Sequence, residues 1–397
     1  MTTTTSPTTL ARAAVPPVTY LLAAGTFLMG TSEFVVAGLL PALATDFDVT
    51  VAQAGLSITL FAIGMIIGAP LMAILTLRLP RRVTLTLALT VFAAGHVIAT
   101  LVPEFTMLLA ARVLTAVATG TFWTVSSVVA ASTAGPRAAS RALGIVNAGG
   151  ILATVLGVPL GAFCGQLIGW RGAFWALAVL AAVTAVFVAL LVPADNIDRP
   201  APSIRVELRT LRSPCLWLVL AACAGVTASV LSIYSYITPL LTLRAGLPQS
   251  VVPAVLMAFG LAALVGSIVT SRVGENHPHI TALTVATITL LATIAIYALA
   301  NSPVPAIALF TLLGLSGLSA IPILVGLAIR LGGSAPTLAA AMPTSFLNIG
   351  TALGTAASAL ALESDLGLRG PAVVGIIAAG ITLIPLAWNL RSRSRFS

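Results

Sequence analysis

The stretch PADNIDRPAPSIRVELRTLRSP, residues 193–214, divides an otherwise apolar chain. It holds Asp195, Asp198, Arg199, Arg205, Glu207, Arg209 and Arg212. The run of about 20 apolar residues that a membrane-crossing helix needs cannot pass through it. On both sides the composition is the reverse. Of 397 residues 59% are hydrophobic and 7% charged, where soluble domains carry roughly 25% charged residues. Mean hydropathy is +1.11. An ordinary soluble enzyme is excluded, and residues 193–214 become the central loop of a polytopic membrane protein.

Apolar runs bounded by Pro, Gly and charges predict six spans before that loop, at 18–42, 53–77, 83–102, 105–132, 141–167 and 171–193. Six follow it, at 215–243, 250–272, 279–300, 304–330, 336–362 and 370–390. The fold class is therefore all-α, with twelve transmembrane helices in two six-helix lobes. Residues 1–17 read as a disordered cytoplasmic N-terminus, because MTTTTSPTTLARAAVPP is too polar to fold and lacks the apolar core of a signal peptide. The lobes occupy 18–193 and 215–390, joined by the cytoplasmic loop 194–214 and followed by a cytoplasmic tail, 391–397. Equal length and span number indicate a duplicated six-helix unit, although residue-level similarity between the halves is weak.

The net charge of +9 comes from 19 arginines against 10 acidic residues, with no lysine. Alternate loops divide the arginines unevenly. Fifteen lie on one side, including Arg12, Arg78, Arg81, Arg82, Arg137, Arg141, Arg272 and Arg330; Arg171, Arg244 and Arg369 lie on the other, and Arg112 is within a span. Positive charge is retained in the cytoplasm, so both termini and the central loop are expected there. The basic charge is thereby explained by topology. No Arg/Lys stripe interleaved with aromatics points to nucleic acid. Trp217, Trp388 and Trp170 near span ends fit interfacial belts.

Glu33 and Arg112 are the formally charged residues well inside spans. Each would be costly facing lipid, so each is expected to face protein or water. At 1.5 Å per residue Glu33 lies roughly 13 Å, and Arg112 roughly 10 Å, from the outer ends of their helices. A carboxylate beside an arginine at matched depth suits proton coupling; a static ion pair is the alternative. Thr119 and Trp123 share the Arg112 face, and Thr26 and Met29 the Glu33 face. Tyr234 with Thr238, and Thr344 with Asn348, form sparse polar stripes in spans 7 and 11. Such groups suit a mostly apolar pocket for a neutral small molecule, or else act as interhelical glue.

Span 5 carries Gly149, Ala153, Gly157, Gly161 and Gly165 at four-residue spacing, with Pro159 beside them; span 11 has Gly350, Gly354 and Ser358. These faces are expected to be the tightest helix contacts. Cys164, Cys215 and Cys223 form no CxxC pair, and His96, His277 and His279 have no carboxylates at ligand spacing, so no metal site is expected. No P-loop occurs. The enzyme reading also fails, for want of paired carboxylates or a nucleophile with its base in the spans.

These residues resemble the major facilitator superfamily, in its twelve-span drug:proton antiporter branch. The segment AILTLRLPRR, residues 73–82, keeps Arg78, Arg81 and Arg82 of the loop pattern that follows helix 2, with Leu77 in place of the Asp and Pro80 in place of a Gly. Arg112 in LLAARVLTAVATG matches the helix 4 arginine, and GVPLGAFCGQLIGWRGAFW, residues 157–175, resembles the antiporter motif. TSEFVVAGLLPALA, FAIGMIIGAPLMAI and GGSAPTLAAAMPTSFLNIGTALG are similar to actinobacterial chloramphenicol exporters, whereas TGTFWTVSSVVA, after Arg112, departs from them. The resemblance implies two lobes around a central cavity, helix 5 against helix 8 and helix 2 against helix 11 between the lobes, and gating by the three loop arginines. It also implies Glu33 and Arg112 as the proton-coupling pair, and efflux of chloramphenicol or a related drug driven by the proton gradient without a cofactor. The expected partners are a small-molecule drug, protons and lipid, and the expected state is a monomer. Efflux of sugars or other small metabolites is the alternative, and a non-transporting membrane sensor a third reading from a different class.

Overall fold

The computed structural model describes residues 15–75, 79–135, 138–193, 213–332 and 336–393. Among them are helices and turns and no strand, the arrangement that satisfies every backbone group internally when side chains are this apolar. The first half holds α1 (Pro17–Asp46), α2 (Val51–Leu75), α3 (Arg81–Leu101), α4 (Phe105–Ala134), α5 (Ala139–Leu152) and α6 (Val158–Leu191). The second holds α7 (Pro214–Tyr234), α8 (Val252–Gly274), α9 (Pro278–Leu299), α10 (Pro303–Gly317), α11 (Ile321–Gly332), α12 (Pro336–Glu363) and α13 (Gly370–Arg393). Proline opens α1, α7, α9 and α10, where its missing N–H costs no helical bond.

Eleven described segments are long and apolar enough to cross a membrane, not the twelve expected. The difference lies in Ala139–Leu191, 53 residues in which α5 passes through a π turn, Ala153–Gly157, into α6. Straight, it would run to about 80 Å, well over twice a bilayer core. It is instead broken at Gly169, whose φ of 76° is readily available to glycine. Before the break the chain runs alongside α1 in the same direction, with Gly157 against Thr31, Gly161 against Val35 and Gly165 against Leu39. After it the direction reverses: Arg171 Nε donates to the Thr100 carbonyl (3.3 Å), and the Phe174 ring meets His96 one turn further back along α3. This segment is thus a hairpin of two arms.

Several expected edges shift. α1 runs from Pro17, inside the expected N-terminal segment, to Asp46, with Val15 packed against the buried core, while α13 continues through Arg391 to Arg393, into the expected tail. Span 7 stops at Tyr234, followed by a short turn, Ile237–Pro239, and a π turn, Leu240–Arg244. Span 10 is interrupted between α10 and α11. Trp170 is not in a belt: it is buried between Phe47 and Phe174, and its Nε1 donates to Asp46. Residues 1–14, Arg78 and residues 194–212 of the central loop lie outside the described residues.

One end of the bundle carries Asp46, Arg171 and Arg369; the other carries Arg81, Arg82, Arg141, Arg272 and Arg330. Among the described residues, hydrogen bonds between the halves gather at the Asp46 end and reach to mid-bundle. Thr50 donates to Glu363 (3.0 Å), Gln166 to the Gln249 carbonyl (2.6 Å) and Thr238 to the Ala37 carbonyl (2.8 Å), while Thr59 and Thr355 share a bond of 2.7 Å. The buried core follows the same division. One cluster joins the first half to Val230, Tyr236, Leu256 and Phe310 of the second; a separate one, around Leu220, Cys223, Ala282 and Leu324, fills the second half near the arginine-rich end.

The duplication is visible in atomic register. Thr26 Oγ1 donates to the Val146 carbonyl at 2.8 Å and Thr227 Oγ1 to the Leu347 carbonyl at 2.7 Å. Gly149 packs on Ala23 and Thr26, and Gly350 on Ala224 and Thr227. Every member of the second set lies 201 positions after its counterpart. A small-residue face therefore joins α1 to α5 and, equivalently, α7 to α12.

Candidate functional site

Arg112 is the centre of the site. It leaves the buried face of α4 and reaches α1 and α2, where Nη1 donates to the carbonyl and hydroxyl of Ser32, both at 3.1 Å, and Nε donates to the Ser57 carbonyl at 3.3 Å. The guanidinium stacks 4.2 Å from the centre of the Phe61 ring, a favourable place for a delocalised cation. Nη2 is buried and has no partner among the described residues. Glu33 follows Ser32 in α1; it is half-buried, and its Oε2 is buried without a partner. No hydrogen bond or ion pair joins described atoms of Glu33 and Arg112, although the two charges lie within electrostatic reach.

The Ser32 hydroxyl also meets His96 Nε2 at 2.8 Å, and His96 Nδ1 meets the Phe92 carbonyl at 2.8 Å. His96, Ser32 and Ser57 were not among the sequence-derived site residues. The sequence does carry a signal for His96, a titratable side chain inside an apolar span, although its spacing bears only on metal binding. Ser57 contributes a backbone carbonyl, which no side-chain pattern reveals.

Most of the expected pocket hydroxyls are spent on backbone. Thr26 binds α1 to α5; Thr119 donates one turn back to Thr115, and Asn348 Nδ2 to the Thr344 carbonyl at 3.0 Å. Met29 is fully buried in the core. Tyr234 and Thr238 bridge the halves, the first edge-on to Phe34 and against Phe259, the second through Ala37. Trp123 differs: its Nε1 is a buried donor without a partner. Glu33, Arg112 and Trp123 are thus the expected site residues with a fully buried polar atom that has no partner among the described residues.

The glycine face of span 5 packs within its own half and not against the other, where the resemblance placed it. Gly157 and Gly161 pack on Thr31 and Val35 of α1 within the first half, with Pro159 buried beside them. The contact with α8 comes from Thr154 and Val155, on which Gly260 sits. Four-residue spacing requires a close neighbour without naming it, and α1 is the nearest in the chain's own half. Arg81 reaches the Ser132 hydroxyl at 3.2 Å, and Arg82 lies in the first turn of α3. A cleft of about 120 Å³ near Glu275 and Arg330 opens between α8, α9 and α11, away from Arg112; drug-sized pockets run from roughly 300 Å³.

An apolar helical bundle in two registered halves, with one buried arginine tying α4 to α1 and α2, matches the Major Facilitator Superfamily model over residues 22–359. The chain belongs to the major facilitator superfamily. As a superfamily member it is a multi-pass membrane transporter, and the resemblance read from its motifs holds. It is similar to a chloramphenicol resistance protein of Streptomyces lividans, 34% identical over 92% of this chain and 94% of the relative. It is also similar to the inner membrane transport protein YdhP of Escherichia coli, at 29% over 94% and 95%, and to an uncharacterised transporter of the superfamily, YtbD of Bacillus subtilis, at 32% over 94% and 91%.

Proposed function

We propose that this transporter exports a small neutral antibiotic of the chloramphenicol type across the bacterial cytoplasmic membrane in exchange for protons. The observation that carries the reading is Glu33: a carboxylate inside a membrane-length helix, with a buried oxygen that no protein group satisfies, one residue from the atoms that hold Arg112. Such a carboxylate can accept a proton and release it as its surroundings change. Protonated Glu33 and bound drug favour opposite states, so each crossing of one drives the other back. The proton gradient is the energy source, and no cofactor takes part.

The similarity to a chloramphenicol resistance protein supports the substrate class. A neutral drug offers Arg112 no charge to pair with, which leaves the arginine to the coupling step. Trp123, with its unspent N–H, is the strongest drug contact; Thr119, Tyr234, Thr238, Thr344 and Asn348 contribute apolar surface and occasional hydrogen bonds. The arginine-rich end, with both termini and the loop 194–214, faces the cytoplasm. The halves are then bonded to each other on the outer side, and drug enters from the cytoplasmic side of a monomer that works by alternating access. Residues Arg78, Arg81 and Arg82 stabilise the alternate, inwardly closed state.

Reconstituted vesicles test this. Chloramphenicol counter-flux driven by an imposed pH gradient is expected from the wild type, and Glu33→Gln is expected to fold and bind drug yet lose the gradient-driven component. Full gradient-driven flux from Glu33→Gln would remove the carboxylate from the mechanism, and transport of sugars in place of the drug would move the substrate class.

A further inference from the structure

His96 stands behind Arg112 in a hydrogen-bonded chain whose polarity can be assigned atom by atom. The Phe92 carbonyl can only accept, so Nδ1, at 2.8 Å, carries a proton. In a neutral ring Nε2 is then a lone-pair acceptor, and the Ser32 hydroxyl at 2.8 Å gives it a proton. The Ser32 oxygen keeps its lone pairs for Arg112 Nη1 at 3.1 Å. Donors and acceptors run in one direction, from the guanidinium through Ser32 and His96 to the Phe92 carbonyl.

A second proton on the ring breaks that order. Nε2 becomes a donor, Ser32 Oγ must accept from His96 and Arg112 together, and the hydroxyl proton has to turn elsewhere. Two cations would then face a single oxygen. The elements packed on the ring offer little to offset this: Phe92 of α3 and Phe174 of α6 give aromatic contacts at 4.3 and 5.1 Å, and α1 gives the Ser32 hydroxyl, with Glu33 the next residue. The charged group that α4 brings to the same hydroxyl is Arg112 itself.

We propose that His96 is the positioning residue for Arg112, acting through the Ser32 hydroxyl: the neutral ring takes the hydroxyl proton and leaves the oxygen free to accept from the guanidinium. The inference rests on the reading of Glu33 and Arg112 as the coupling pair. It adds a neutral acceptor outside that pair, which fixes where Arg112 stands beside Glu33. A histidine needed only for packing could be replaced by another aromatic ring, because its two ring neighbours are phenylalanines. A histidine needed as an acceptor could not.

The experiment compares wild type, His96→Phe, His96→Gln, Ser32→Ala and the His96→Phe/Ser32→Ala double variant, with chloramphenicol flux in vesicles measured across a range of internal pH. His96→Phe keeps the packing and is expected to slow gradient-driven flux by up to about tenfold, as loss of one buried hydrogen bond predicts. Ser32→Ala is expected to match it, and the double variant to be no worse than either. Glutamine can place an acceptor oxygen near Ser32, so His96→Gln is expected to restore the rate. A wild-type rate and profile from His96→Phe would overturn the proposal. So would a nitrogen NMR spectrum of histidine-labelled protein that placed the neutral-ring proton on Nε2, and this readout needs no transport. If wild-type flux ignored the pH gradient altogether, the proposed function would fall, and the tautomer and its response to Ser32→Ala would still decide the role of His96.

Discussion

The two halves agree where they pack and part where they carry charge. Thr26 and Thr227 make the same bond to the same position of a partner helix, over Gly149 and Gly350. In the first half Arg112 then stands on the Ser57 carbonyl; 202 residues later Gly314 packs directly on the Phe259 carbonyl. The position of Glu33 is taken by Tyr234, which lies against Phe259 with ring centres 4.7 Å apart. A charged site and an aromatic plug thus occupy one backbone frame. Small residues fix the frame in both halves, and titrating chemistry has been added to one.

The largest test of that contrast is Arg112→Ala. It removes a cation that makes three hydrogen bonds in the first half, and drug flux in vesicles should fall by about 10- to 100-fold, since a charge-assisted bond contributes roughly 1.5–3 kcal/mol. Arg112→Lys should be impaired too, because a point charge cannot serve both helices and stack on Phe61. Normal flux from Arg112→Ala would mean that the first half is no more functional than the second.

A middle-sized effect should treat the halves alike. A methyl group at Gly149 or Gly350 would run into a backbone carbonyl, of Ala23 or Ala224, so Gly149→Ala and Gly350→Ala should each cost roughly 1–3 kcal/mol in stability. Gly144→Ala and Gly380→Ala, where a methyl meets open space, are the controls. Thermal unfolding in detergent would read all four, and a large loss at one glycine alone would break the equivalence. The smallest expected effect is a matched pair as well: Thr26→Val and Thr227→Val each remove one bond between helices, worth about 1 kcal/mol. Equal small drops in Tm are expected, with the pH dependence of flux unaltered. A shifted pH profile from Thr26→Val would place that threonine in the coupling site instead of the frame.

Much of this was legible before any coordinates. Charges are so rare in the chain that Glu33 and Arg112 stood out, and the polar stretch after Pro193 divided it into halves. The register of the repeat was not legible, because it resides in which carbonyl a threonine reaches and few identical residues mark it. The hydroxyl stripes were ambiguous for a related reason. A helical Thr such as Thr119 can bond its own preceding turn and leave nothing for a ligand, and spacing cannot tell the two uses apart. The glycines of span 5 announced close packing correctly but not that α1 would be the neighbour.

Of the four hydrogen bonds that join the halves among the described residues, two end on main-chain oxygens: those of Ala37 and Gln249. A carbonyl belongs to every residue. Sequence drift at positions 37 and 249 therefore leaves both acceptors in place, while Thr238 and Gln166 carry the whole burden of selection for these bonds. A population of variants should accept many side chains at the first two positions and few at the last two, so that part of the seam between the halves is inherited through the backbone.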